Sequence, residues 1–139
     1  MAITQTWTTS FKRQLLLGEH DLEADTLKIA LYTSSAVLGP DTAVYTTVGE
    51  TSGAGYSAGG VTLANVTVNS ANGVAYVDFD DPSWSGASFT ARGALIYNAS
   101  KSNKAIAVLD FGTNQTAVNE NFVIDLPANN STFAIIRLA

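Results

Sequence analysis

The sequence predicts a mostly β fold: an antiparallel β-sandwich or jelly-roll-like domain with one short N-terminal helix. Three observations carry this expectation. Short apolar-rich segments with two-residue alternation recur along the chain, with turn chemistry between them every ~8–12 residues. Asn72-Gly73 lies between two such segments, and Asn-Gly is a strong short-range hairpin signal. No long helical pattern alternates with the strands, which argues against a parallel α/β sheet. At 139 residues and 46% hydrophobic, the chain can bury a core as a single domain. Residues 1–26 read as an arm with a short helix, and 27–139 as the sandwich.

The helix comes first. Thr9 or Ser10 can cap it, residues 12–17 are good helix formers, and Gly18 can end it. Phe11, Leu15 and Leu22 can share one apolar face; a helix this short needs such a docking surface. The pattern then changes to strands. Residues 27–32 alternate, with Leu27, Ile29 and Leu31 on one side. Residues 61–68 and 74–79 flank the turn at 69–73. Residues 94–97 and 104–111 follow, joined by the Ser- and Asn-rich turn at 98–103. Residues 122–126 and 132–138 close the set around a turn at 127–131, giving about seven strands.

Residues 37–60 are too long for a simple turn, and long connections of this kind are usually functional or ordered by a partner. Val37, Leu38, Val44, Tyr45, Val48 and Tyr56 favour burial, and the glycines among them allow close backbone approach. A neighbouring subunit can supply that burial. The plainer alternative is that the segment folds back over its own sheet.

The net charge is −5 and the seven basic residues are scattered, Lys12-Arg13 being the only adjacent pair. Neither nucleic acid nor a membrane surface is therefore an expected partner. The absence of cysteine removes disulfides, thiolate metal sites and cysteine nucleophiles together. Residues 1–10 are polar and the apolar run at 15–17 is short, so neither a signal peptide nor a membrane span is expected. The expectation is a chain made in a cytoplasm and soluble until it assembles.

Chemical motifs are sparse. His20, the sole histidine, is the one possible base for a Ser–His–Asp site, but no G-x-S-x-G elbow accompanies it. It reads more simply as a solvated residue after the helix. Asp78, Asp80 and Asp81 could attract a hard cation, yet they lack the glycine and distal glutamate of a calcium loop, and Pro82 interrupts them. A glycosidase pair would need a second acid that nothing identifies. The glycines at 53, 55 and 59 miss the dinucleotide spacing, and no Gly-Lys-Ser/Thr follows. That loop reads as a tight fold anchored by Tyr56. Trp7, Trp84 and the five tyrosines could form a stacking platform, but core and sheet packing is the simpler reading. Asn65, Asn98, Asn129 and Asn130 begin Asn-x-Ser/Thr sites, which have no meaning without secretion. The sequence thus predicts no catalytic residue, no cofactor and no metal.

Four segments together resemble small virion structural proteins of tailed bacteriophages. They are Ser10-Phe11-Lys12-Arg13-Gln14-Leu15-Leu16-Leu17-Gly18 leading to Leu27-Lys28-Ile29-Ala30-Leu31-Tyr32-Thr33; Tyr45-Thr46-Thr47-Val48-Gly49-Glu50 running into Gly53-Ala54-Gly55-Tyr56-Ser57-Ala58-Gly59-Gly60; Ala91-Arg92-Gly93-Ala94-Leu95-Ile96-Tyr97-Asn98; and Ala105-Ile106-Ala107-Val108-Leu109-Asp110-Phe111-Gly112. The Glu-x-x-Gly-x-Gly-Tyr-x-x-Gly-Gly loop with the Ala-Arg-Gly-Ala strand is the more specific combination. The resemblance implies a non-enzymatic, oligomeric part of the particle, assembled in the bacterial host cytoplasm and located in the virion. Capsid decoration or cement ranks first. A neck, collar or tail accessory role, or a receptor- or carbohydrate-binding fibre module, are the alternatives. The implied partners are the chain itself, as a homo-oligomer such as a trimer, and other virion proteins such as the major capsid or neck and tail proteins. The candidate interface residues are Val44, Tyr45, Val48, Tyr56 and Arg92.

Overall fold

The computed structural model describes residues 3–126, 130, 132 and 134–138. It is 48% strand and 6% helix, with two antiparallel sheets, as the β-sandwich expectation requires. In chain order the elements are β1 (Thr6–Trp7), α1 (Thr9–Leu16), β2 (Leu27–Tyr32), β3 (Val61–Thr62), β4 (Thr67–Ala71), β5 (Val74–Asp78), β6 (Ser83–Asn98), β7 (Lys104–Val123) and β8 (Arg137–Leu138). The larger sheet runs β1-β7-β6-β2-β3 and the smaller one β4-β5-β8.

β2 shows why the larger sheet sits at the centre. Its alternation sends Leu27, Ile29 and Leu31 to one face and Ala30 and Tyr32 to the other, and all five are buried. The first face joins the main core, where Ile96 and Ile106 of the larger sheet meet Val77 of the smaller sheet and Phe11 of α1. The second face joins a separate core of Ala30, Tyr32, Leu95, Tyr97 and Val108, closed by Ile3, Ala36 and Leu38. One face is thus covered by helix and small sheet, and the other by the connection after β2. Fully burying a side chain such as Ile96 or Ile106 contributes about 1.5–3 kcal/mol.

α1 starts one residue earlier than the sequence predicts. Thr8 is its cap, its Oγ1 accepting from the Phe11 amide at 3.2 Å. The Thr8 hydroxyl also lies 3.3 Å from the Ala105 carbonyl, tying the helix start to β7. Gly18 takes a positive φ just beyond the helix, as its end position requires. Phe11 is fully buried, and Leu15 and Leu22 pack against the same core. β1, which the sequence reading did not include, pairs with Val108 and Ala107, so the N-terminal arm belongs to the larger sheet.

Other strand expectations need correction. Residues 61–68 do not form one strand: 61–62 pair with β2 and 67–71 with β5, the direction changing where Asn65 takes φ +55°. The Asn72-Gly73 hairpin is present, with both turn residues at positive φ. The two strands around 94–97 and 104–111 extend to Ser83 and Val123, making one long hairpin. Residues 122–123 end β7, so 122–126 is not a strand of its own. At the C-terminus only 137–138 are strand, and residues 127–129, 131, 133 and 139 lie outside the described residues, with most of the expected 127–131 turn and the Asn129 site.

Candidate functional site: the 33–60 cover and its outer rim

The segment after β2 folds back over its own sheet. Backbone bonds hold it at several points: Thr33 N to Gly49 O at 2.8 Å, Thr51 N to Leu31 O at 2.9 Å, and Tyr45 N to Asn103 O at 2.9 Å. The plainer of the two sequence readings therefore holds within one chain. Length alone does not call for a neighbour.

Glu50 is the centre of this cover. Its Oε1 accepts from the Tyr45 hydroxyl at 2.6 Å, and its Oε2 from the Tyr56 hydroxyl at 2.5 Å and the Gly59 amide at 2.7 Å. The Tyr56 oxygen in turn accepts from the Leu31 amide at 3.0 Å, so one phenol joins the loop carboxylate to a core strand. Tyr97 donates to the Gly59 carbonyl and Tyr32 to the Thr46 carbonyl, both at 2.6 Å. The Tyr45 and Tyr97 rings stack with centroids 4.8 Å apart. Burial, reinforced by the Glu50 carboxylate beside them, pushes the Tyr45 and Tyr56 hydroxyls well above their ordinary pKa; burial does the same to Tyr32 and Tyr97. These phenols stay protonated and serve as donors.

The glycines explain how the segment comes so close. A Cβ on Gly60, which has φ +79°, would sit 1.8 Å from the Ile29 carbonyl oxygen. One on Gly49 would meet the Ala36 Cα at 2.7 Å. The loop is a backbone-on-backbone fit that larger residues would break.

The expected interface residues divide accordingly. Tyr45 and Tyr56 are half-buried with their hydroxyls turned inward to Glu50. Val44 and Val48 point outward, 50% and 75% exposed, beside Val37 at 63%. Arg92 lies on β6, between Thr90, whose carbonyl accepts from the Thr51 hydroxyl, and Gly93, which pairs with Tyr32. Its Nε donates to Asp110 Oδ1 at 3.1 Å, and the same oxygen accepts from the Gly112 amide. There the register jumps from Ala91↔Gln115 to Gly93↔Asp110, so the Arg92–Asp110 pair braces a bulge in β7. The segment's outer surface is an apolar rim on a polar lock.

The other candidate groups are engaged in structure. His20 Nδ1 lies 3.0 Å from Asn98 Nδ2, and its Nε2 lies 2.8 Å from Gln14 Oε1. Both partners fit a neutral ring protonated on Nε2, and burial, the largest cause, lowers the His20 pKa. Fully buried Asn98 also donates to Asp25 Oδ2 at 2.8 Å and accepts from the Ser100 amide at 3.0 Å. This knot fastens residues 18–26 to the end of β6. Asp80 accepts from Asn65 Nδ2 and Asp81 from the Leu126 amide. No metal-binding group of three or more acidic, His or Cys residues occurs among the described residues. Among the aromatics, Trp84, Phe89 and Phe122 are buried together with Tyr56 packed against them. Trp84 Nε1 has no hydrogen-bond partner among the described residues.

Glu50 holds the cover together, a structural role that the sequence reading does not single out. It stands in the conspicuous Glu-x-x-Gly-x-Gly-Tyr segment, and that spacing between a carboxylate, paired glycines and a tyrosine is the signal that could have found it. No family model, no curated protein and no solved structure matches the chain.

Proposed function

We propose that this chain is a non-enzymatic structural subunit of a tailed-bacteriophage particle, a capsid decoration or cement protein that binds copies of itself and other virion proteins. The observation that carries this reading is the pairing of a rigidly locked cover with apolar side chains left on its outside. Val37, Val44 and Val48 are exposed on a segment whose Tyr45 and Tyr56 hydroxyls and Gly59 amide are committed inward to Glu50. Exposed apolar groups on a rigid scaffold suit a surface completed by assembly. The four segments that resemble phage virion proteins include this loop and the strands beneath it.

Reconstruction of whole particles, with the subunit labelled and with it deleted, tests the proposal. Density at symmetric positions on the shell that disappears on deletion is the expected result. A ring at a vertex would assign it to the neck, and density at distal tips to a host-binding fibre. Particles that never contain the chain would overturn the reading.

A further inference from the structure

α1 turns Lys12, Arg13, Leu16 and Leu17 outward, with Leu16 90% exposed. Lys12-Arg13 is the only adjacent basic pair in a chain of net charge −5, so this small face is cationic on an anionic molecule. Glu19 is near enough to interact with Arg13, but its carboxylate is held by Lys104 Nζ at 2.7 Å.

A second unpartnered surface lies far along the same hairpin. A groove of about 400 Å³ follows β7, with partly exposed Phe111 and exposed Val123 as its accessible apolar lining over buried Ala117, Phe122 and Ile124, and Glu120 and Asp125 as acids. On this side β1 pairs only with Ala107 and Val108, so among the described residues no strand covers β7 beyond them. Val118, 68% exposed, projects nearby.

We infer that a second copy of the chain docks its α1 in this groove, Leu16 and Leu17 against the apolar lining and Lys12 and Arg13 opposite Glu120 and Asp125. Charge complementarity selects the occupant: the acids need a cationic partner with an adjoining apolar group, and this face offers both about one turn apart, Lys12-Arg13 and then Leu16-Leu17. A chain cannot fill its own groove. α1 is fixed beside Ala105, whose β6 partner is Tyr97, whereas Glu120 pairs with Ala87. These β6 positions are about 30 Å apart along the strand at ~3.3 Å per residue. The contact is therefore head-to-tail between different surfaces, an arrangement that closes into a ring where the rotation permits. The inference rests on the proposed role as a self-assembling building block and names the surfaces that would join its copies.

Charge reversal and cross-linking test it in the full-length protein. Light scattering should give the unmodified chain a mass well above 14.5 kDa. Reversing Lys12→Glu with Arg13→Glu, or Glu120→Lys with Asp125→Lys, should each weaken self-association about ten-fold or more, and combining all four should restore it. The chain contains no cysteine, so Leu16→Cys and Val118→Cys can each be the sole thiol. Mixed and oxidised, the two variants should yield a cross-linked dimer that neither gives alone. A monomer at every concentration would overturn the inference, as would an oligomer indifferent to both reversals or cross-linking by one variant alone. Incorporation into particles that depends on Glu120 and Asp125 but not on Lys12 and Arg13 would also overturn it, by giving the groove to a different virion protein. An indifferent oligomer still found on particles would leave the building-block role standing. Charge-sensitive oligomers from a chain absent from particles would sink that role and keep the docking.

Discussion

At the scale of single residues, the cover depends on one carboxylate. Glu50→Ala leaves the Tyr45 and Tyr56 hydroxyls and the Gly59 amide without their acceptor. Bonds to charged groups contribute about 1.5–3 kcal/mol each but are not additive, so a loss of roughly 3 kcal/mol is expected by urea denaturation. Tyr56→Phe should lose less, about 1–2 kcal/mol, since it removes one donor to Glu50 and one acceptor from Leu31 N. The same phenols set an alkaline limit. Folding raises the pKa of Tyr32, Tyr45, Tyr56 and Tyr97 above 10.0, so their contribution is complete below pH 10.0 and falls away as pH rises beyond it. In an alkaline titration, their tyrosinate absorbance should therefore appear together with loss of the β signal. His20 acts at the other end. Its pKa is depressed below 6.5, so its contribution is present above that pH and is lost as pH falls further. Chemical denaturation at stepped pH should show a decline starting near 6.5, removed in His20→Gln. In the sequence only the spacing of Glu50, Gly53, Gly55 and Tyr56 hints at this, because a carboxylate shared by two phenols leaves no periodic trace.

At the scale of elements, legibility followed burial. β2 was readable to the residue because a strand buried on both faces is bounded by polar turns. The Asn72-Gly73 turn was readable because few dipeptides accept two positive φ angles. The outer halves of β6 and β7 were not readable. Residues 112–121 of β7 are all exposed except Ala117, so Thr, Asn and Gln replace the alternation that marks a strand. Register shifts interrupt the rest. The loop glycines separate two kinds of requirement. Gly60→Ala would place Cβ against the Ile29 carbonyl at positive φ, and a loss of about 3 kcal/mol or more is expected. Gly18→Ala has the same sign of φ but open space, and should cost only about 1 kcal/mol. Thermal unfolding of the two variants side by side checks the difference.

At the scale of the whole molecule, the question is which surface meets a neighbour. Tyr56→Ala would loosen the lock itself and so could not separate folding from assembly. Val44→Ser with Val48→Ser alters only exposed groups. This pair should leave circular dichroism and urea midpoint within about 0.5 kcal/mol of the unmodified chain while reducing incorporation into particles. Unchanged incorporation would move the particle contact away from the cover. The fold class was legible at this scale, since turn spacing and the Asn-Gly hairpin are properties of two antiparallel sheets. That the larger sheet carries a core on each face was not, because the second core is closed by Ile3, Ala36 and Leu38 from outside the regular strands.

The long β6–β7 hairpin also has a consequence in time. Its strands meet first at Asn98↔Lys104, across a short turn, and can zip outward before distant segments arrive. The Trp7 Nε1 bond to the Ile135 carbonyl, by contrast, joins positions 128 apart in sequence, so loop closure delays it. Ile106→Val should then slow refolding, whereas Trp7→Phe should mainly hasten unfolding, as stopped-flow traces of the two variants would reveal. The hairpin would thus be the template of the folding chain, and the junction of the chain's two ends its last step.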